Sequence, residues 1–129
     1  MKIAYKDKLD KRILPGRVIS DVAGKLGPIP STRMTMGYAY YSAESGPMEP
    51  HQHAEEICVC TKSQGGFFRY GDSKDNLGER IDMVPGMIIH FDPLEWHVFD
   101  YDEGGHVEII FFYGQTENIR PEDILKNNK

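Results

Sequence analysis

"EPHQHAEEICVCTK", from Glu49 to Lys62, is the stretch on which the reading of this chain turns. Two of only five histidines, His51 and His53, stand one residue apart, followed at once by Glu55 and Glu56 and then by a short apolar run. On an extended chain residues i and i+2 project to the same side, so His51 and His53 point into one space. Glu56 follows three residues after His53, across a bend, and can swing back to the same centre. Imidazole with carboxylate is the donor mixture that Zn, Fe, Mn or Ni selects, and metal–nitrogen distances of about 2.0–2.1 Å demand ligands whose directions are already set. Two histidines and one carboxylate make a facial set with open positions. An exposed loop can also carry His-x-His with no metal, so the pair needs support from elsewhere.

"DPLEWHVF" offers that support. His97 opens a strand after a Pro-bearing loop and can complete the set. His90, inside "MIIHF", and His106, after "DEGG", are the remaining histidines. A lone His on an apolar strand is more often a satisfied core residue, and His106 reads as a solvated turn residue.

Around these motifs the chain repeats one pattern: a short strand, a turn with Gly, Pro or Asp, another strand. Met34–Ser42, Glu56–Thr61, Phe67–Tyr70, Arg80–Val84, Ile88–Phe91, His97–Tyr101 and His106–Tyr113 read as strands. Lys62–Gly66 ("KSQGG") reads as a hairpin turn, "GDSKDNLGE" as a polar loop, and "DEGG" (Asp102–Gly105) as a turn. "VPGM" (Val84–Met87) has Pro then Gly, as a type II turn prefers. Arg17–Gly24 fits an edge strand or a short helix. "RPEDILKNN" (Arg120–Asn128) fits one or two helical turns, with Pro early and acids in the first turn. About eight to ten short strands at this spacing predict a two-sheet sandwich or barrel. With 129 residues, one domain over 1–129 is expected, large enough to enclose a core without disulfides.

The formal net charge of −5 and the scattered basic residues argue against nucleic acid as a partner. The longest apolar runs, such as "EIIFFY", are too short to span a bilayer. "MKIAYKDKLDKR" lacks the apolar core of a secretory signal, so a cytoplasmic protein is expected. Cys58 and Cys60 lie two apart in a strand. A bond between such neighbours would be strained, so both read as free, buried thiols in a reducing compartment.

With these residues in view, the sequence resembles the cupin superfamily, small double-stranded β-helix or jelly-roll barrels, over about residues 34–113. The first cupin motif is matched by Gly46, "PMEP", "HQH", "AE", Glu56 and a late Gly65 or Gly66. The second is matched by Gly86, "MIIHF", Asp92, Pro93, Leu94, "EW" and His97. The first spacer has four residues rather than five. Asp92 stands where Pro is usual, Leu94 where Gly is usual, and Tyr101 where Asn is usual. The resemblance implies an all-β jelly-roll barrel, and His51, His53, Glu56 and His97 as ligands of one divalent transition metal (Fe, Mn, Zn or Ni). It further implies a homodimer, whose N-terminal segments before Met34 cover a sheet edge.

Strand parity extends the pattern. Cys58 and Cys60 should face inward with Glu56, and Phe99 and Tyr101 with His97. On the first long strand, Met34, Met36, Tyr38 and Tyr40 are expected inside, and Glu55 outside. Tyr38, Tyr101, Cys58 and Arg69 are the ionisable side chains that could act besides the ligands. Arg69 has a fork suited to a carboxylate, but an exposed Arg is the ordinary reading. No spare inward carboxylate is evident. A metal-dependent enzyme on a small polar molecule (dioxygenase, isomerase, decarboxylase or lyase type) is therefore set beside a non-catalytic metal- or small-molecule-binding protein, and beside a metal-free barrel in which the histidines do not converge.

Overall fold

A computed structural model describes residues 1–119. Nine strands follow in order: β1 (Arg12–Leu14), β2 (Arg17–Gly24), β3 (Ile29–Pro30), β4 (Thr35–Ser42), β5 (Glu56–Ser73), β6 (Asn76–Leu77), β7 (Ile81–Asp82), β8 (Ile88–Phe91) and β9 (Trp96–Tyr113). Their order across the sheet is β1-β2-β4-β9-β5-β6, with β3 on β2, and β7 and β8 on β5. Every pairing is antiparallel except β2 with β3. The helical turns expected at Arg120–Asn128 lie outside the described residues.

The architecture depends on β5 and β9, each 18 residues long. The first half of β5 lies between β8 and the second half of β9, with Ile57 opposite both His90 and Phe112. Its second half lies between β7 and the first half of β9, with Phe68 opposite Ile81 and Phe99. Two strands thus serve both layers of the barrel. The crossing is made where the sequence suggests turns. Register shifts fall between Cys60 and Lys62 and between Gln64 and Gly66, and four residues of β9, 102–105, bulge opposite Gly65. Gly65 (φ 65°) and Gly104 (φ 76°) adopt the left-handed conformation that glycine tolerates. "KSQGG" and "DEGG" are therefore not chain reversals. They are paired bulges that bend a continuous ribbon. Arg80 pins this corner, donating to both carboxylate oxygens of Asp102 at 2.7 and 2.9 Å and to Asp82 at 2.7 Å.

The other sequence signals translate more directly. Pro85 and Gly86 (φ 93°) form the type II turn, closed by Met87 N–H donating to the Val84 carbonyl at 3.1 Å. Arg17–Gly24 is a strand, though an interior one, flanked by β1 and β4. The polar loop after Tyr70 is a hairpin between β5 and β6, and Arg80–Val84 shortens to the two residues of β7.

Parity along β4 is opposite to expectation. Ala39 and Tyr41 are buried, whereas Met34 is exposed and Tyr38 and Tyr40 are half-buried on the outer face. The cause is space. A Cβ on Gly37 would sit 2.7 Å from Phe111 Cζ, so the face of β4 turned to β9 must carry small residues where Phe111 packs. The outer tyrosines find other cover: Lys6 Nζ lies 4.9 Å from the Tyr38 ring centroid, and Tyr40 stacks on His106 at 5.7 Å. Inside, Cys58, Cys60, Phe91, Phe99, Val107 and Ile109 fill the core at 2 % exposure or less.

Candidate metal centre

The centre lies at one end of the core, where β5 begins, β9 begins and residues 51–54 close over both. His51 and His97 form an isolated antiparallel bridge, with N–H to carbonyl distances of 2.9 Å each way. Leu94 N–H donates to the His53 carbonyl at 2.8 Å. Main-chain bonds thus lock the two halves of the sequence pattern together, independently of any side chain.

Each imidazole is oriented by its Nδ1. His53 Nδ1–H donates to the Ala54 carbonyl at 2.8 Å, His97 Nδ1–H to Glu95 at 2.8 Å, and His51 Nδ1–H to Glu49 at 3.2 Å. A carbonyl can only accept, so all three rings carry their proton on Nδ1 and turn Nε2 inward. The donor atoms of His51, His53 and His97 lie within 4.8 Å of one another. His53 Nε2 and His97 Nε2 are 3.1 Å apart. Two lone pairs that close need positive charge between them, a proton or a metal cation.

Glu56 lies beside His53. Its Oε2 is 3.2 Å from His53 Nε2, and its buried Oε1 has no hydrogen-bond partner. Burial works against the charged carboxylate. The hydrogen bond and charge of His53 outweigh it and hold the carboxyl below its usual range. Burial and the neighbouring imidazoles push His51 down to about 3, and burial and His53 push His97 down to about 4. Three imidazoles converging on one point, a carboxylate held below its usual range and an orphaned buried oxygen are the donor chemistry that a divalent transition ion fits. His97 is further held flat against Phe91, ring centroids 3.9 Å apart.

A cavity of about 120 Å³ opens from this centre, walled by Ile19, Phe99, Ile109 and Phe111 and bearing Tyr41, Tyr113, Arg12, Arg17 and Asp21. Burial and the charge of Glu56 push both tyrosine hydroxyls up, so they remain protonated donors. The Tyr113 hydroxyl lies 3.5 Å from His53 Nε2.

The structure brings His51, His53 and His97 into one group, with Glu56 beside His53. It does not bring Tyr38, Tyr101, Arg69 or Cys58 to the cavity. Tyr38 is on the outer face of β4. Tyr101 packs against the core and donates to the Gly46 carbonyl at 3.2 Å. Arg69 is exposed, 5.6 Å from the Phe67 ring centroid. Cys58 packs behind Glu56 in the core. His90 is not a core residue but an exposed one, bonded to Glu55 at 2.7 Å, and His106 lies within β9. Tyr41, Tyr113 and Arg17 are cavity residues that the sequence pattern did not single out. The small residues Gly37 and Ala39 carried the parity signal that would have found Tyr41.

Leu94 adopts φ 63° at the position where the cupin motif has Gly. A left-handed conformation is uncommon for a branched residue and is held here by the bond to His53.

No family model matches the sequence, and no curated protein matches it. Solved structures match closely in three dimensions. The polyketide cyclase RemF from Streptomyces resistomycificus aligns with TM-score 0.71 at 18% identity, covering 99% of this chain and 92% of that one. A protein from Planctomyces limnophilus aligns with TM-score 0.70 at 13% identity, over 95% and 94%. Fe(II)-HppE with an alternative substrate aligns with TM-score 0.63 at 12% identity, over 87% of this chain and 59% of that one. The chain has the cupin fold, a jelly-roll barrel. Among the described residues, no helix is long and apolar enough to cross a membrane.

Proposed function

We propose that this cupin-fold protein holds one divalent transition metal on His51, His53, His97 and Glu56, and works as a metal-dependent enzyme on a small polar molecule in the adjoining cavity. The observation that carries the reading is the convergence of three Nε2 atoms whose Nδ1 atoms are tied to main-chain carbonyls. Such tethering fixes tautomer and ring direction in metal sites. A fold neighbour bearing Fe(II) is consistent with it.

When bound, the ion would supply Lewis acidity or redox capacity. The chain's own contribution is more specific. Tyr41 and Tyr113 offer protonated hydroxyls to an oxygen of the ligand. Ile19, Phe99, Ile109 and Phe111 exclude water from the reacting end. Asp21 is occupied by Arg12, at 2.6 and 3.1 Å, and Glu56 by the ion, so among the described residues the cavity has no carboxylate left to act as general base. The same observation favours a second reading, a non-catalytic binding protein. Turnover of a bound ligand separates the two.

The test is metal analysis of protein purified without added metal and after exposure to Fe(II), Mn(II), Ni(II) or Zn(II). About one equivalent is expected, and none in a His51→Ala/His97→Ala variant. An empty wild type that takes up none of the four ions overturns the reading. A homodimer belongs to the same proposal. Ile57 and Phe112, paired across β5 and β9, are exposed side by side on the outer face, an apolar surface suited to a second copy. Sedimentation equilibrium, with Ile57→Lys as the comparison, checks it.

A further inference from the structure

Two arginines reach the cavity, and they are not equivalent. Arg12 forms a two-bond ion pair with Asp21 and is neutralised by it. Arg17 is half-buried and lines the same cavity, yet among the described residues no carboxylate lies within ion-pair distance of its guanidinium, and its side chain makes no hydrogen bond. Arg17 lines this cavity together with His51, Tyr41 and Tyr113. The position is built. Arg17 opens β2 directly after the Pro15–Gly16 turn. Gly16 N–H donates to the Ser45 carbonyl at 2.8 Å, and a Cβ on Gly16 would meet Met48 Cα at 2.9 Å. The hairpin tip is thus seated against residues 45–48, beside the first histidine.

The charges around the cavity make the same point. Among the described residues its charged side chains are Arg12, Arg17, Asp21 and Glu56, two of each sign. A divalent ion on the centre would leave the cavity with two uncompensated positive charges, in surroundings where burial makes charge costly. The cavity, at about 120 Å³, is smaller than the roughly 300–1,000 Å³ that holds drug-sized ligands. A molecule of a few heavy atoms fits it.

We propose that Arg17 is the specificity-determining residue of the cavity, binding the carboxylate of a small anionic substrate whose other end faces the histidine centre. The planar guanidinium suits two parallel hydrogen bonds to a carboxylate. The placement of the substrate's other end rests on the metal reading above; the carboxylate subsite does not.

The experiment titrates glycolate and its neutral amide, glycolamide, into Zn(II)-loaded and Zn(II)-free protein by calorimetry, in wild type, Arg17→Met and Arg17→Lys. Wild type is expected to bind glycolate at least about tenfold more tightly than glycolamide in both forms, as a charge-assisted pair predicts. Arg17→Met should lose that preference and Arg17→Lys should keep only part of it, with zinc stoichiometry unchanged in both. Equal binding of the two probes by wild type overturns the proposal, as does an Arg17→Met variant that keeps the preference. Should Arg17→Met fail to fold, Arg17→Gln takes its place with the same expectation. An Arg17-dependent preference in protein that takes up no zinc would leave the carboxylate subsite standing and the metal reading lost. Zinc uptake without that preference would do the reverse.

Discussion

His53 Nε2 and His97 Nε2 face each other across 3.1 Å, although 44 residues separate them in the chain. Both rings spend their Nδ1 protons on main-chain carbonyls, so the contact is between two acceptors unless a positive charge lies between them. A metal cation must then displace any proton held there. Metal binding should release about one proton, and affinity should weaken roughly tenfold per pH unit on acidification where that proton competes. Calorimetry of Zn(II) binding in buffers of different ionisation enthalpy measures the release. Glu56→Gln, which keeps the shape and removes the charge, should weaken the ion by at least about tenfold.

Leu94 sets the approach of "DPLEW" to His97 with a backbone better suited to glycine. Replacement by Gly should remove left-handed strain of about 1–2 kcal/mol, against roughly 0.5–1 kcal/mol of added chain entropy. A small rise in the urea midpoint is expected for Leu94→Gly, and none for Leu94→Ala, which keeps the Cβ. A lower midpoint for Leu94→Gly would show that the strain is absent.

Gly37→Ala should be costly. The added methyl would lie 2.7 Å from both Phe111 Cζ and the Ser20 carbonyl oxygen. Overpacking of this kind destabilises by about 1–3 kcal/mol. The urea midpoint should fall, and the tyrosine and tryptophan near-ultraviolet dichroism should change, since Phe111 borders Tyr113 at 5.6 Å.

Acid should remove a contribution from Glu108. This residue is buried on the outer face of β9, where its Oε1 accepts from Lys6 Nζ at 2.8 Å and Thr61 Oγ1 at 2.7 Å. Burial raises its pKa, but the Lys6 and Thr61 bonds outweigh burial and leave the carboxyl below its ordinary 4.5. The folded value is below the unfolded one, so the stabilisation is present above about pH 4.5 and is lost as pH falls through the folded value. Glu108→Gln should flatten this part of the stability–pH curve, as read from urea midpoints between pH 3 and 6. A curve unchanged by the substitution would rule the contribution out.

The two thiols should be silent in the native protein. Cys58 and Cys60 are 0 % and 1 % exposed, and burial pushes both thiols up. A thiol reagent at pH 8 should find neither in the folded state and both in denaturant. Rapid modification of either in the native protein would contradict their placement.

The sequence by itself determined those features that depend on neighbours along the chain. His-x-His with Glu56, the inward row of Glu56, Cys58 and Cys60, the Pro85–Gly86 turn and the strand count all follow from two-residue periodicity and turn chemistry. These are local rules. The cupin resemblance then linked His97 to the first motif, and the fold agrees. What only the tertiary structure decided depends on partners distant in sequence. Gly65 and Gly104 read locally as turn residues, yet antiparallel pairing of β5 with β9 makes them bulges within continuous strands. By pattern the face of Met34, Met36, Tyr38 and Tyr40 is the expected interior. Phe111, seventy residues on, needs the space beside Gly37 and so turns Tyr41 in. Arg17 carries no motif at all. It enters the cavity because the hairpin before it packs on residues 45–48, and only the tertiary structure shows that, among the described residues, no carboxylate lies within ion-pair distance of it.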